Sequence, residues 1–187
     1  LIYFDEDQAP IVHRIIANTP QSGTIGTAIY EDKMGNIWLG SPYGLYKIPF
    51  SKNIEQITIK PIKIDPVIDR TTTQFIKKDH QEKLIIGTNA GLYIQTNKEE
   101  LSFSKLSEIT SSYDLIEDED HQIWVGSYSG LLHFDNRQPN KLPTFIKQYT
   151  SSLENPKGIG NNIIRCLFKD NNGLIWIGSN GGGINYF

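Results

Sequence analysis

Four copies of one short pattern constrain this chain more than any other feature. The stretches GNIWLGSPYGLYKI (35–48), EKLIIGTNAGLYIQ (82–95), HQIWVGSYSGLLHF (121–134) and NGLIWIGSNGGGINYF (172–187) align on a glycine after an apolar triplet: Gly40, Gly87, Gly126 and Gly178. These anchors are 47, 39 and 52 residues apart. Eight residues before each stands Asp32, Asp79, Asp118 or Asp170, and two before it Trp38, Ile85, Trp124 or Trp176. Ser41, Thr88, Ser127 or Ser179 follows directly, and Gly44, Gly91, Gly130 or Gly182 comes four after the anchor. A unit of this size cannot bury its apolar face alone, so the copies must stack on one another.

Each unit carries four short strand signals. Strand A ends at the aspartate, as in IGTAIYED (25–32) and NIIRCLFKD (162–170). Strand B is the apolar triplet, and strand C follows the second glycine, as in LYKI (45–48). Strand D is the next alternating stretch: EQITIKPIK (55–63), LSFSKL (101–106) or PTFIKQY (143–149). Strand B is apolar at consecutive positions, which predicts a strand covered on both faces. The A–B turn offers Asp at its start and Gly35 or Gly173 where φ can be positive. The middle copies have Glu82 and His121 there, which predicts a different turn type for them. Four strands per unit, dense turn residues and no amphipathic helical stripe predict an all-β chain: a β-propeller fragment of about four blades, each a four-stranded antiparallel sheet.

LIYFD (1–5) aligns with LLHFD (131–135), and the last copy stops after its strand C. The expected division is therefore 1–22 as strands C and D of a preceding blade (with IVHRII, 11–16, as D), blades at 23–66, 67–108 and 109–150, and a blade lacking its last strand at 151–187. The propeller is expected to be incomplete at both ends. The chain begins without Met, which reads as a segment of a longer protein, so missing targeting signals say little about location.

Composition narrows the function classes. The formal net charge of −3 gives no basic footprint for nucleic acid. The one cysteine, Cys166, excludes an internal disulfide and a Cys-based metal cluster. No apolar run approaches the ~20 residues of a membrane span.

The pattern D-x-x-G-x-I-W-x-G-S/T-x-x-G-L resembles the two-component regulator propeller repeat. DKMGNIWLGSPYGLYKI (32–48) and DNNGLIWIGSNGGGINYF (170–187) match it best; DEDHQIWVGSYSGLLHF (118–134) departs at the turn glycine, and DHQEKLIIGTNAGLYIQ (79–95) lacks both that glycine and the tryptophan. The resemblance implies the extracytoplasmic, periplasmic sensor region of a bacterial membrane histidine kinase. It is similar to hybrid two-component systems of Bacteroides type that respond to polysaccharide fragments and regulate transcription. It further implies more repeats, an immunoglobulin-like domain, a membrane span and a kinase elsewhere in the receptor, which is expected to be dimeric.

The final GGG feeds a strand and no Lys follows, so it reads as a hairpin rather than a phosphate loop. The repeated aspartates, one per A–B turn, read as turn-stabilising side chains. The stretch DEDH (118–121) adds local negative charge beside His121. His13, His80, His121 and His133 lack zinc-ligand spacing and read as surface or strand residues. Cys166 reads as a small core residue, and the recurrent tryptophans as packing between blades. No catalytic residue, metal site or cofactor is expected. Specificity is expected in the B–C turns and D–A links, which share one propeller face. There Tyr43, Asn89, Tyr128 and Asn180 are candidate ligand-binding residues, able to stack on or hydrogen-bond a sugar.

Three functional readings follow: a sensor module for oligosaccharides, a non-binding structural or dimerisation scaffold of the receptor, and a propeller lyase or hydrolase. The last needs converging acid–base groups that the sequence does not display. The expected partners are an oligosaccharide, the remainder of the receptor chain and a second copy, since terminal blades would expose apolar faces.

Overall fold

The computed structural model describes residues 2–3, 11–12, 26–49, 60–62, 68–97, 101–108, 111–155 and 158–187. Among these residues, apart from one 3-10 turn at Ile68–Arg70, every regular element is a β-strand. Strands β1 (Ile2–Tyr3) and β2 (Ile11–Val12) form a small antiparallel pair. Most of the expected strand IVHRII lies outside the described residues.

Three four-stranded antiparallel sheets and one of three strands follow, each a meander in sequence order. Blade 1 is β3 (Ala28–Glu31), β4 (Ile37–Ser41), β5 (Gly44–Ile48) and β6 (Lys60–Ile62). Blade 2 is β7 (Thr73–Lys78), β8 (Leu84–Thr88), β9 (Gly91–Asn97) and β10 (Ser102–Ser107). Blade 3 is β11 (Ser112–Glu117), β12 (Gln122–Ser127), β13 (Gly130–Asp135) and β14 (Thr144–Tyr149). Blade 4 is β15 (Ile164–Lys169), β16 (Ile175–Ser179) and β17 (Gly183–Tyr186). The four first strands neighbour one another in turn, β3 on β7, β7 on β11 and β11 on β15, so they form the inner edge of an arc that does not close on itself among the described residues.

The core lies between sheets. Trp38 and Leu45 of blade 1 pack on Ile76, Leu84 and Ile86 of blade 2. Phe75, Ile85, Leu92 and Ile94 of blade 2 meet Leu115, Ile123, Val125, Leu132 and Phe134 of blade 3. Trp124 and Leu131 of blade 3 meet Ile164, Leu167, Ile175 and Ile177 of blade 4. Ile85 and Ile86 thus face opposite neighbours, as the consecutive apolar residues of strand B require. Two anchor glycines allow the close approach: a Cβ on Gly40 would stand 2.7 Å from Thr73 Cγ2, and one on Gly126 2.8 Å from Ile164 Cγ2, each in the next blade.

The repeat tryptophans occupy these seams, but not uniformly. Trp38 and Trp124 are buried, whereas Trp176 is 37% exposed, because no described sheet covers its side of blade 4. The same face carries Cys166, which is exposed. The core position expected for Cys166 is therefore corrected: the bulge in β15 aims Ile164 and Leu167 at blade 3 and leaves Cys166 on the uncovered side.

Each aspartate does two jobs in its turn. Asp32 Oδ1 accepts from the backbone N–H groups of Met34 and Asn36, both at 2.9 Å, and Oδ2 accepts from Trp38 Nε1 at 3.0 Å. Asp118 repeats this with Asp120, Gln122 and Trp124, and Asp170 with Asn172, Leu174 and Trp176. The turn-stabilising role was legible; the indole bond that ties the turn to the blade seam was not. In blade 2, where Ile85 replaces the indole, Asp79 Oδ2 instead accepts from Asn136 Nδ2 of blade 3 at 3.1 Å.

All four A–B turns share one backbone geometry, which corrects the expectation of two types. The residue three after each aspartate donates to its carbonyl: Gly35, Glu82, His121 and Gly173, at 2.9–3.2 Å. All four have positive φ: 78°, 64°, 57° and 85°. The paired strands and the carboxylate cap impose the turn, so Glu82 and His121 accept a left-handed conformation that glycine adopts freely.

Two predictions follow from the turns. Nothing lies within 4 Å of a Cβ built on Gly173, so Gly173→Ala isolates the backbone cost and lowers stability by about 1 kcal/mol. Glu82→Gly acts in the opposite sense and raises the urea midpoint. The second concerns acid. Burial alone would raise the Asp32 carboxyl, but hydrogen bonds from Asn36, Trp38 and the backbone outweigh it and hold it below its ordinary 3.8. Asp170 is also lowered, chiefly by the Trp176 indole. A depressed folded-state pKa gives stability that is complete above the unfolded value and is lost as pH falls through the folded one. Thermal midpoints are expected to be flat from neutral pH to about 5 and to drop below about 4, less steeply in Asp32→Asn than in the parent.

Candidate functional site

Strands A and C of each blade run one way and strand B the other, so the B–C turns and D–A links gather at one end. The B–C turns are built on a hydroxyl. Ser41 Oγ donates to the Gly44 carbonyl at 3.2 Å and accepts from Tyr43 N at 2.9 Å. Thr88 with Gly91 and Ala90, and Ser127 with Gly130 and Ser129, do the same. Ser41, Thr88 and Ser127 are fully buried, and Gly44, Gly91 and Gly130 have positive φ. In blade 4 the turn is one residue longer: Ser179 bonds and pairs with Gly183, at φ 72°, not Gly182.

The candidate residues all lie on these turns and are exposed. Asn89, Tyr128 and Asn180 are equivalent: each backbone N–H donates to a carbonyl just before the same blade's inner strand, of Thr72, Ser111 and Ile163, at 2.8–3.0 Å. Blade 1 has Pro42 there and cannot make this bond; Tyr43 comes one residue later. Ser111 N–H also donates to the Asn89 carbonyl at 3.2 Å, so Ser111 links the turns of blades 2 and 3. Among the described residues no ring packs on Tyr43 or Tyr128, and Asn89 Oδ1 accepts from Gln74 Nε2 at 2.7 Å. No hydrogen bond or ring contact joins two of the four candidate side chains among the described residues. They share an end of the arc, one per blade, rather than one tight cluster.

Sequence reasoning missed the residues beneath them. Inner strands β7, β11 and β15 each have a register shift, at Thr73/Phe75, Ser112/Asp114 and Ile164/Cys166. The residues skipped are Gln74, Tyr113 and Arg165. A bulge re-aims a side chain out of the ladder, and here it creates a row with an amide, a phenol and a guanidinium. The Arg165 guanidinium stands 4.1 Å over the Tyr113 ring. Their common signal was a fixed spacing of 13 residues before each anchor glycine, at which chemistry varies freely. Asp114, next to Tyr113, holds three blades together: Oδ1 accepts from Lys77 Nζ at 2.6 Å and Oδ2 from Leu167 N at 2.8 Å. Amide, phenol and guanidinium groups beside exposed turn aromatics supply donors, acceptors and stacking faces for a hydroxyl-rich ligand.

Two further features remain, the first of them walled in part by the D–A link of residues 150–162. A cavity of about 510 Å³ between blades 3 and 4 is lined by Tyr149, Asn155, Ile159, Asn185, Tyr186 and Phe187, among others. At the opposite, A–B end, His80, Glu117 and His121 bring three potential metal-ligand atoms within 4.8 Å of one another. Sequence spacing gave no hint of that cluster, because two different turns supply it. His133 stacks on Trp124 at 3.7 Å, and burial lowers its pKa from 6.5. His13 lies outside the described residues.

Two segments, 20–43 and 158–181, match the model of the two component regulator propeller family. The matched segments fall on the first and last of the four copies of the pattern. Among solved structures it is similar to the extracellular domain of BT3049 of B. thetaiotaomicron, a protein assigned as a hybrid two component system: TM-score 0.72 and 23% identity over 99% of this chain and 23% of that one. The extracellular domain of BT4673 from the same organism gives TM-score 0.70 and 17% identity over 91% of this chain and 22% of that one. A virginiamycin B lyase from Staphylococcus aureus gives TM-score 0.55 and 11% identity over 91% of this chain and 57% of the lyase. These likenesses define the β-propeller fold. The chain spans less than a quarter of the length of the two extracellular domains. No curated protein matches the sequence.

Proposed function

We propose that this chain is part of the extracytoplasmic, periplasmic sensor of a two-component histidine kinase and contributes its B–C face to oligosaccharide recognition. One observation carries the reading: within repeats of the two component regulator type, the invariant positions are consumed by folding while the turn and bulge positions vary in chemistry and stay accessible. Tyr43 and Tyr128 offer exposed rings, 42% and 54% accessible. Asn89 and Asn180 offer amides, and Gln74, Tyr113 and Arg165 extend the same surface inward. The segment itself is read as non-enzymatic. Bound sugar acts by shifting packing between this arc and the rest of the receptor, which biases the kinase toward one of its states. No helix among the described residues is long and apolar enough to cross a membrane, so the span is assigned to another part of the receptor.

Calorimetric titration with oligosaccharides, of this chain and of the complete ectodomain, tests the reading. The expected result is binding by both, with Tyr128→Ala and Arg165→Ala each weakening affinity about tenfold, the loss of one stacking or charge-assisted contact. Binding only by the complete ectodomain, unchanged in these variants, places the site elsewhere and leaves this segment as scaffold. Turnover of a polysaccharide panel by the purified chain would revive the lyase or hydrolase reading.

The scaffold reading has its own observation. Blade 4 exposes Phe168, Trp176, Ile184 and Tyr186, and blade 1 exposes Ile29 on its far side. In every internal seam the equivalent surfaces are buried against a neighbouring sheet. We assign these faces to further blades of the receptor or to a second copy of this chain. The isolated chain is expected to self-associate, with a dimer mass in light scattering that dissociates in Trp176→Lys. A monomer at high concentration would refute the self-association.

A further inference from the structure

We propose that His80, Glu117 and His121 bind one borderline transition-metal cation of the Zn²⁺ class, clipping blade 2 to blade 3 at the end opposite the B–C turns. The proposal is independent of the sugar-sensing reading. His80 belongs to the A–B turn of blade 2; Glu117 and His121 flank that of blade 3. Glu117 Oε1 lies 2.6 Å from His80 Nδ1 and 3.9 Å from His121 Nδ1. Around a tetrahedral zinc, with bonds of about 2.0–2.2 Å, ligand atoms stand roughly 3.3 Å apart. The first pair therefore has to open, and the second to close, by less than about an ångström. The ligand atoms of the two imidazoles lie within 4.8 Å of one another, and both rings are part-exposed, so they can turn out of their stacked contact to aim both nitrogens at one ion.

The carboxylate is already held in place. Its Oε2 accepts the His80 backbone N–H at 2.7 Å, and its Oε1 accepts Asn136 Nδ2 at 3.2 Å. Asn136 is 1% exposed, and its amide also donates to Asp79 Oδ2 at 3.1 Å. Its backbone N–H donates to the His121 carbonyl at 3.1 Å. Asn136 thus fixes the ligating carboxylate and the backbone of one ligating histidine, the kind of outer support that metal sites use. The two rings stack 3.7 Å apart and 17° from parallel.

The cluster also collects departures from the repeat. Ile85 stands where the other copies have tryptophan, which frees Asp79 Oδ2 for Asn136. His121 stands where two copies have glycine, and holds φ at 57°. The shared A–B turn imposes that conformation, and a histidine is retained in it where glycine fits freely. Two imidazoles and one carboxylate suit zinc, copper, nickel or cobalt; calcium and magnesium require more oxygen ligands. Three protein ligands leave a fourth position for water or a ligand group.

The test is metal titration of the chelator-stripped chain with Zn²⁺ against a chromophoric competitor, with thermal melts alongside. The expected result is one equivalent bound, a raised melting midpoint, and no displacement by excess Mg²⁺ or Ca²⁺. His121→Gly relieves the strained backbone, so its metal-free midpoint should hold or rise while zinc affinity falls tenfold or more and the zinc-induced shift disappears. His80→Gln gives the same loss through a residue with ordinary backbone and serves if the first variant fails to fold. No bound equivalent in the parent, or binding undiminished in both variants, overturns the proposal.

Discussion

Everything in this molecule rests on the burial of strand B between two neighbouring sheets. Ile85 and Ile86 are adjacent in the chain, fully buried, and committed to different seams. A single blade could cover neither face of such a strand. Stacking is therefore the condition for any blade to exist, and stability passes from seam to seam as in other repeat proteins. The rest of the pattern serves this contact. Gly40 and Gly126 let the inner strand of the next blade come close, and in blades 1, 3 and 4 the aspartate locks the A–B turn while its second oxygen holds the indole.

Because the seams consume the repeated positions, the unrepeated positions are free for other uses. At the B–C end this freedom appears as exposed turn residues above a row of bulges. At the A–B end it appears where blade 2 breaks the rule. Replacing the tryptophan with Ile85 leaves a carboxylate oxygen without its indole. Asn136 arrives from blade 3 to satisfy it, and in doing so also holds Glu117 against two histidines. A departure in one turn is thus answered by residues of another blade.

The two ends carry different chemistry. The B–C face presents amides, phenols and one guanidinium on a rigid arc, with the Lys77–Asp114 pair and Leu167 fastening three inner strands beneath it. The A–B face concentrates imidazole and carboxylate groups at one seam. A ligand at the first face and a cation at the second would act on the same contacts between blades 2 and 3, because β7 and β11 run from one end to the other.

The strand order, the blade count, the turn role of the aspartates and the two-faced burial of strand B could be read from spacing alone, because each follows from local periodicity repeated four times. The turn candidates Tyr43, Asn89, Tyr128 and Asn180 were legible as exposed loop residues for the same reason. Other features were not. The side chains of Glu82 and His121, where the other copies have glycine, suggested a different turn, yet pairing of the flanking strands forced the same one. Cys166 looked like core until the β15 bulge turned it outward. Gln74, Tyr113 and Arg165 were hidden because a bulge is a property of the pairing between two strands. His80 and His121 were separate surface histidines until the stacking of two blades laid one ring on the other. Sequence by itself determined the repeating unit, since a strand's burial pattern is written in its own residues. Tertiary structure alone decided which side chains of different units meet, since that depends on the rotation of one blade against the next.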